Sequence, residues 1–150
     1  LLNHRFGVAG TSMGGITTSS AFAVYPWIKV AGVLMGSPKT QAMAEYTIEE
    51  VKKLNVKLPY TDEELQKQIA SLKPIDLSVN MDKLMERPLF FWHGDADPVV
   101  PFEQSYTFYE EAKKLYVNKD NITFIREKGR GHKVSRFAIL EAVKWFENHL

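Results

Sequence analysis

The stretch Phe6-Gly7-Val8-Ala9-Gly10-Thr11-Ser12-Met13-Gly14-Gly15 carries the pattern from which the fold of this 150-residue chain follows. Its apolar start predicts a strand, and Gly-x-Ser-x-Gly around Ser12 is typical of a sharp turn from strand to helix that lifts a serine hydroxyl above a sheet edge. We expect a positive φ at Ser12, and glycine at positions 10 and 14 because a Cβ at either would clash. Gly15 should let the helix pack close to the sheet. Taken alone, the motif is also compatible with a Gly/Ser-rich turn that has no chemical role.

Two later loops carry an acid and a base. The apolar residues 89–92 predict a buried strand that runs into the loop containing Asp97, and residues 121–126 predict a strand that runs into the loop containing His132. Ser12, Asp97 and His132 therefore each follow the carboxyl end of a strand, which is where an open α/β sheet places its site. Ser, Asp and His in this order are also the order of the α/β-hydrolase triad.

On these motifs the chain resembles the C-terminal part of an α/β hydrolase, and is most similar to bacterial esterases related to dienelactone hydrolases and prolyl-oligopeptidase-type peptidases. Gly-Thr-Ser-Met-Gly-Gly, His-Gly-x-x-Asp-x-x-Val-Pro and Gly-x-Gly-His carry the resemblance. It implies a serine hydrolase that cleaves carboxylic esters through an acyl-enzyme, with Ser12 as nucleophile, His132 as base and Asp97 as acid. The Met13 N–H would be one oxyanion donor. A peptidase of the same fold and a non-catalytic binding or scaffold protein are the alternatives.

Other histidines and carboxylates compete for these roles. Of the four histidines, one precedes the first strand and one lies in the last helix, both far from a carboxyl end. The resemblance gives His93 a structural role in shaping the loop that contains Asp97, which we call the acid loop. His132 lies in a glycine-flanked loop after the last strand, from which it can reach Ser12, so we expect it to be the base; a solvent-exposed loop histidine without a role is the alternative. Asp97 fits the His-Gly-x-x-Asp register, and Asp95 is its rival, with hydrogen bonding inside the loop as the other role open to it.

Strands and helices alternate along the chain, which predicts an α/β fold: a mostly parallel sheet of about four strands flanked by helices. The predicted strands are 5–10, 28–36, 88–93 and 121–126, and the predicted helices are 13–24, 101–116 and 135–149. We expect residues 1–150 to form a single, partial α/β-hydrolase domain. In the last helix, Ile139, Val143, Phe146 and Leu150 predict a stripe buried on the sheet, and Ser135 is the expected N-cap. A partner-binding face is the alternative for that stripe.

Residues 38–75 are predicted to form a helical insertion or cap. Thr47-Ile48-Glu49-Glu50 and Thr61-Asp62-Glu63-Glu64 each have the capping-box form, so each predicts the start of a short helix. Leu65, Ile69 and Leu72 give the second helix an apolar stripe. Such a segment would cover the site and shape the acyl or alcohol pocket, and a surface excursion is the equal alternative.

Composition excludes several classes of function. The chain is 45% hydrophobic and 25% charged, which is ordinary for a soluble globular protein. Its net charge of +1 does not indicate binding to nucleic acid or to an anionic membrane. It contains no cysteine, so disulfides and thiolate sites are excluded. It lacks a phosphate-binding loop, a Gly-x-Gly-x-x-Gly motif and metal-ligand spacings, so we expect no cofactor and no metal. A cytoplasmic location is the expectation.

The start of the chain departs from the family that it resembles. Such enzymes bring several strands before the nucleophile, whereas here the first predicted strand leads directly to Ser12. We therefore expect a C-terminal portion that is weakly active or inactive by itself, because the second oxyanion donor would lie upstream. Strand 5–10 would have an unpaired edge, which suggests a homodimer through that edge.

Overall fold

In the computed structural model, which describes residues 4–150, four strands form one parallel sheet in the order β1-β2-β3-β4. The strands are β1 (Phe6–Thr11), β2 (Ile28–Leu34), β3 (Leu89–Gly94) and β4 (Ile122–Glu127). The helices are α1 (Met13–Val24), α2 (Thr40–Lys53), α3 (Asp62–Ser71), α4 (Phe102–Leu115) and α5 (Arg136–His149). The predicted α/β architecture is confirmed, and the predicted strands and the helices 13–24, 101–116 and 135–149 differ from the observed ones by at most two residues at either end.

Helices cover both faces of the sheet. On one face, α1, α4 and the 3₁₀ turns between residues 73 and 84 enclose the larger core, which includes Phe22, Phe91 and Phe108. On the other face, α5 packs on Leu34, Phe90 and Trp92. The strand β3 is buried along its whole length and β2 at all but one position, as expected for central strands covered on both sides. No helix within residues 4–150 combines the length and the apolar character needed to cross a bilayer.

The predicted buried stripe of α5 is wrong. Ile139 and Val143 are about half exposed and Leu150 is exposed, whereas the buried residues of α5 are Ala138 and Ala142. The physical reason is that small alanines let the helix axis approach the sheet. The wider apolar side chains are therefore turned toward β1, where the Phe146 ring lies against Gly7. The predicted N-cap is confirmed, because the Ser135 hydroxyl accepts a hydrogen bond from the Ala138 N–H at 3.1 Å.

One of the two predicted capping boxes is also wrong. Thr47 lies inside α2 and donates to the Met43 carbonyl oxygen, so its hydroxyl caps no N–H. The helix begins earlier, at Thr40, where the Asp76 carboxylate accepts from the Gln41 N–H at 3.0 Å. The second box is confirmed at the start of α3, where Thr61 and Glu64 bind each other reciprocally. Leu65, Ile69 and Leu72 form the least exposed side of that helix, as predicted.

Candidate active site

Ser12 occupies the tight turn between β1 and α1. Its φ is 55° and its ψ is −120°, a positive-φ conformation that few side-chain-bearing residues adopt. Its N–H donates to the Leu34 carbonyl oxygen at 3.0 Å. A Cβ on Gly10 would lie 2.2 Å from the Gly14 carbonyl oxygen, so glycine is required there. The same requirement predicted for Gly14 is wrong, because a Cβ at that position meets no atom of the described residues within 4 Å. The Gly14 backbone occupies the space that a Cβ on Gly10 would need, whereas a Cβ on Gly14 would point into open space.

The three sequence-predicted residues lie together at the carboxyl end of the sheet. Ser12 Oγ is 2.7 Å from His132 Nε2, and His132 Nδ1 is 2.8 Å from Asp97 Oδ2. The carboxylate oxygen only accepts hydrogen bonds, so Nδ1 carries the proton and Nε2 accepts from the serine hydroxyl. This geometry leaves an imidazole nitrogen aimed at a serine hydroxyl, as general-base catalysis requires.

Asp97 is held in place by the backbone of its own loop. Its Oδ1 accepts from the Val99 and Val100 N–H groups at 2.8 and 3.0 Å, and its side chain is fully buried. Burial of the carboxyl opposes ionisation, but the hydrogen bonds from His132 and from the Val100 and Val99 N–H groups outweigh it and lower the pKa of Asp97. The carboxylate therefore remains charged at neutral pH beside His132.

His93 forms a second imidazole contact to the same acid. Its Nε2 lies 3.0 Å from the Val100 carbonyl oxygen and 3.1 Å from Asp97 Oδ2. A carbonyl oxygen only accepts, so the proton is on Nε2 and is shared between the two acceptors. The other nitrogen, Nδ1, is buried and has no hydrogen-bond partner within residues 4–150. Burial lowers the pKa of His93, against the opposing effects of Val100 and Asp97, so the ring is neutral at neutral pH.

Asp95 binds residues other than His132. Its Oδ1 accepts from the Gly129 N–H at 2.6 Å and its Oδ2 accepts from Arg126 Nε at 2.9 Å. These two hydrogen bonds, led by that from Gly129, lower the pKa of Asp95. Asp95 thus fastens the acid loop to the loop that carries His132. The two loops pack so closely that a Cβ on Gly94 would lie 2.3 Å from the Arg130 carbonyl oxygen.

Met13 is the first residue of α1, and its side chain is 77% exposed beside Ser12. The N–H groups of the first helical turn have no partner within their helix, and the positive end of the helix dipole favours negative charge there. The Met13 N–H is therefore suited to stabilise an oxyanion on a group attacked by Ser12. No cluster of three or more His, Asp or Glu side chains able to hold a metal ion is found among the described residues.

Sequence reasoning missed two groups near the site. The Tyr46 hydroxyl, on α2, donates to the Pro98 carbonyl oxygen in the acid loop at 3.4 Å. Glu127, the last residue of β4, accepts from Trp92 Nε1 and from the Ser135 hydroxyl. A polar residue at the end of a strand is a weak signal by itself. Their partners lie too far along the sequence for a local pattern to reveal them.

Comparison with known proteins gives one family over nearly the whole chain. Residues 2–150 match the prolyl oligopeptidase family. The esterase-named YitV protein of Bacillus subtilis (strain 168) is 40% identical over 147 residues, which cover 97% of this chain and 58% of that protein. Esterase YjfP of Escherichia coli (strain K12) is 28% identical over 153 residues, which cover 100% of this chain and 59% of that protein.

A solved structure has the same fold at lower sequence identity. The acylaminoacyl peptidase of Pyrococcus horikoshii superimposes with a TM-score of 0.71 at 19% identity, covering 99% of this chain and 24% of that protein. The chain spans somewhat more than half the length of the two curated relatives that it matches. At this identity the structural similarity concerns the fold alone.

Proposed function

This chain belongs to the prolyl oligopeptidase family, and we propose that it carries the catalytic triad of a serine hydrolase that cleaves carboxylic esters through an acyl-enzyme. The observation that carries the proposal is the continuous hydrogen-bonded series from Ser12 through His132 to Asp97. The esterase names of the two curated relatives favour an ester over other acyl substrates.

In the proposed mechanism, Ser12 Oγ attacks the ester carbonyl carbon while His132 Nε2 takes the hydroxyl proton. Asp97 holds His132 Nδ1–H and stabilises the imidazolium that forms. His132 then returns the proton to the departing alcohol, which leaves the acyl group on Ser12. Water then attacks the acyl carbonyl carbon while His132 Nε2 takes one of its protons, and the same nitrogen returns that proton to Ser12 Oγ as the bond between Oγ and the acyl carbon breaks and the carboxylic acid leaves.

The negative charge that develops on the carbonyl oxygen needs hydrogen-bond donors. The Met13 N–H is the donor that we assign, because it lies at the start of α1 directly after Ser12. Loss of one of two such donors costs roughly 10²–10³ in rate in a well-studied protease.

A peptidase activity is the second candidate, favoured by the match to the prolyl oligopeptidase family itself. The two candidates use the same three residues and differ in the leaving group. Turnover of p-nitrophenyl acetate against alanine p-nitroanilide separates them. We expect the ester to be cleaved and the amide to be cleaved far more slowly.

The direct test is the intact mass of the chain after exposure to a fluorophosphonate, which reacts with an activated serine. We expect one adduct, located on Ser12, and none in Ser12→Ala. A folded wild-type chain without an adduct on Ser12 would favour the non-catalytic scaffold. An adduct that persists in Ser12→Ala would assign the nucleophile elsewhere.

A further inference from the structure

The loop that carries His132 has two hydrogen bonds of its own, from the Lys133 N–H to the Gly131 carbonyl oxygen at 2.9 Å and from Arg130 Nε to the Lys133 carbonyl oxygen at 2.9 Å. Residues 128–134 contain two glycines, and Gly129 has a φ of 72°. The loop belongs to no helix or strand, and glycines leave a chain free to adopt many conformations. A general base must nevertheless stay within about 2.6–3.2 Å of the proton that it takes. These two hydrogen bonds do not connect the loop to the sheet, so contacts with residues outside 128–134 contribute to the position of His132.

Glu127 joins the two ends of this loop. It is the last residue of β4, directly before the loop, and its Oε2 accepts from the Ser135 hydroxyl at 2.7 Å directly after the loop. The same oxygen accepts from Trp92 Nε1 at 2.9 Å. Trp92 is fully buried in β3 and lies next to His93 in the chain. Glu127 Oε2 therefore connects both ends of the 128–134 loop to β3, the strand that leads to the acid loop.

The contact to Ser135 reaches further than the loop. The Ser135 hydroxyl accepts from the Ala138 N–H as the N-cap of α5 while it donates to Glu127. The hydroxyl proton is thereby committed to Glu127, and the start of α5 is set relative to β4. The other side of the loop is held separately, by Asp95 at Gly129 and by the Ala96 N–H at the Arg130 carbonyl.

We propose that Glu127 is a positioning residue for His132, acting by holding both ends of the 128–134 loop against β3 so that Nε2 stays within hydrogen-bond distance of Ser12. The inference rests on the proposed function, because His132 needs that position only if it serves as the base. It also predicts a structural consequence, an ordered loop, that is measurable without catalysis.

The variants separate positioning from general stability. Glu127→Ala removes the acceptor, whereas Glu127→Gln keeps an amide oxygen that can accept from both donors. Trp92→Phe deletes one donor and retains a ring. Glu141→Ala is the matched control, because the Glu141 side chain has the same 28% exposure and one ion pair, to Lys144 on the surface of α5.

We expect Glu127→Ala to lower kcat for p-nitrophenyl acetate, and the rate of Ser12 acylation by a fluorophosphonate, by about 10- to 100-fold, because a misplacement of about 1 Å can cost this much. KM should change less than about twofold, since the loop is expected to move the base and leave the substrate pocket intact. Glu127→Gln should recover most of the rate, and Glu141→Ala should match the wild type.

A second readout does not depend on activity. The His132 Nδ1–H bound to Asp97 should give a proton resonance shifted far downfield, identified by its loss in His132→Gln. Glu127→Ala should broaden or remove this resonance and speed amide hydrogen exchange in residues 128–134, while Glu141→Ala leaves both unchanged.

The outcomes distinguish this inference from the proposed function. If wild-type Ser12 is not acylated but Glu127→Ala still releases the loop, the proposed function fails, whereas the structural part of the inference, that Glu127 holds the 128–134 loop in place, is supported. If the wild type is active and Glu127→Ala keeps its rate, its resonance and its exchange pattern, Glu127 has no positioning role. Should Glu127→Ala not fold, Trp92→Phe decides, with a partial loss of rate and of the resonance supporting the inference and wild-type behaviour overturning it.

Discussion

Asp97 and Asp95 lie two residues apart in one loop but bind different partners. Asp97 contacts His132 at 2.8 Å, whereas Asp95 contacts Arg126 and Gly129. If Asp97 is the acid of the triad, Asp97→Asn should lower kcat by about 10³- to 10⁴-fold, because the amide favours the wrong tautomer of His132. The kinetics of ester hydrolysis measure the loss.

Asp95→Asn is the matched control for that variant. Its one remaining side-chain oxygen can still accept from the Gly129 N–H, whereas the charge and the hydrogen-bond acceptor that face Arg126 Nε are lost. We expect less than about a tenfold loss in kcat, because an ion pair at the surface contributes little and Asp95 does not contact His132. A larger loss in Asp95→Asn than in Asp97→Asn would reverse the assignment of the acid.

His93 makes stability depend on pH. Its pKa in the folded chain is lowered by burial, so the unfolded chain binds this proton more readily. The contribution of neutral His93 to the free energy of unfolding is present in full above its ordinary pKa of 6.5. It is lost as the pH falls from 6.5 toward the lower pKa that His93 has in the folded chain. The contributions of Asp95 and Asp97, whose folded-state pKa values are also lowered, are lost only below about their ordinary value of 3.8.

We therefore expect the free energy of unfolding of the wild type to fall as the pH drops below about 6.5, and to fall less in His93→Gln, which keeps a donor but does not titrate. Urea unfolding at several pH values measures the slope. His149→Gln is the companion variant, because burial also lowers the pKa of His149. An unchanged slope in His93→Gln would mean that His93 takes up no extra proton on unfolding.

At the scale of elements, Arg87 joins three parts of the fold. Its guanidinium is buried, lies 3.7 Å from the centre of the Phe22 ring, and meets backbone carbonyls at the end of α1, the start of β2 and the turn 81–84. The acceptors are the carbonyl oxygens of Phe22, Tyr25, Ile28, Lys83 and Leu84. One side chain thus satisfies carbonyls that buried chain ends would otherwise leave unpaired.

Arg87→Met should lower the free energy of unfolding by about 3 kcal/mol or more, because several buried carbonyls lose a charged donor. Arg87→Lys should recover only part of this, since a single ammonium cannot reach acceptors on three elements. Arg136→Met, at an exposed arginine, should change stability by less than about 0.5 kcal/mol. Equal stability of Arg87→Met and Arg136→Met in urea unfolding would contradict this account.

Variants on α2 and between α2 and α3 test whether the predicted insertion, residues 38–75, affects the choice of substrate. Tyr46 on α2 contacts the acid loop at Pro98, whereas Tyr60, between the two helices, is 60% exposed. We expect Tyr46→Ala to change the ratio of kcat/KM for p-nitrophenyl octanoate and acetate by about tenfold, the order of effect that apolar pocket contacts have on discrimination. Tyr60→Ala should leave the ratio unchanged. If both variants keep the wild-type ratio, the segment is a surface excursion.

The elements also show what the sequence could predict. The strand ends and the loops carrying Ser12, Asp97 and His132 were predictable because their glycine and aspartate patterns are local. The packed face of α5 was not, because Ala138, Ala142 and Trp145 form a stripe as periodic as that of Ile139, Val143 and Phe146. Periodicity identifies residues that share a face of the helix, but it does not show which face packs on the sheet. In α5 the face with the smaller side chains packs there, because it lets the helix come closer to the sheet. The start of α2 depends on Asp76, which is distant in sequence.

At the scale of the described residues 4–150, the outer edge of β1 and the face of α5 that carries Ile139 and Val143 form one apolar surface. Within residues 4–150, β1 pairs with β2 alone and its residues alternate between partly buried and exposed. Ala9 and Thr11 of β1 line a groove of about 410 Å³ with Ile139, Val143 and Phe146 of α5. Unpaired strand edges beside apolar side chains favour association with another chain.

We therefore predict that the 150-residue chain self-associates through this surface. Light scattering should give a mass above 17.1 kDa that rises with concentration. The pair Ile139→Lys and Val143→Glu should lower it toward the monomer, because charges on half-exposed positions oppose burial while leaving the core intact. Val117→Lys is the control, since Val117 is 90% exposed and lies between α4 and β4, away from the groove. A monomeric wild type at high concentration would contradict the prediction, and so would an equal effect of Val117→Lys. The first result would show that the open edge of β1 is not sufficient for pairing, and the second that general surface charge, rather than this groove, controls the assembly.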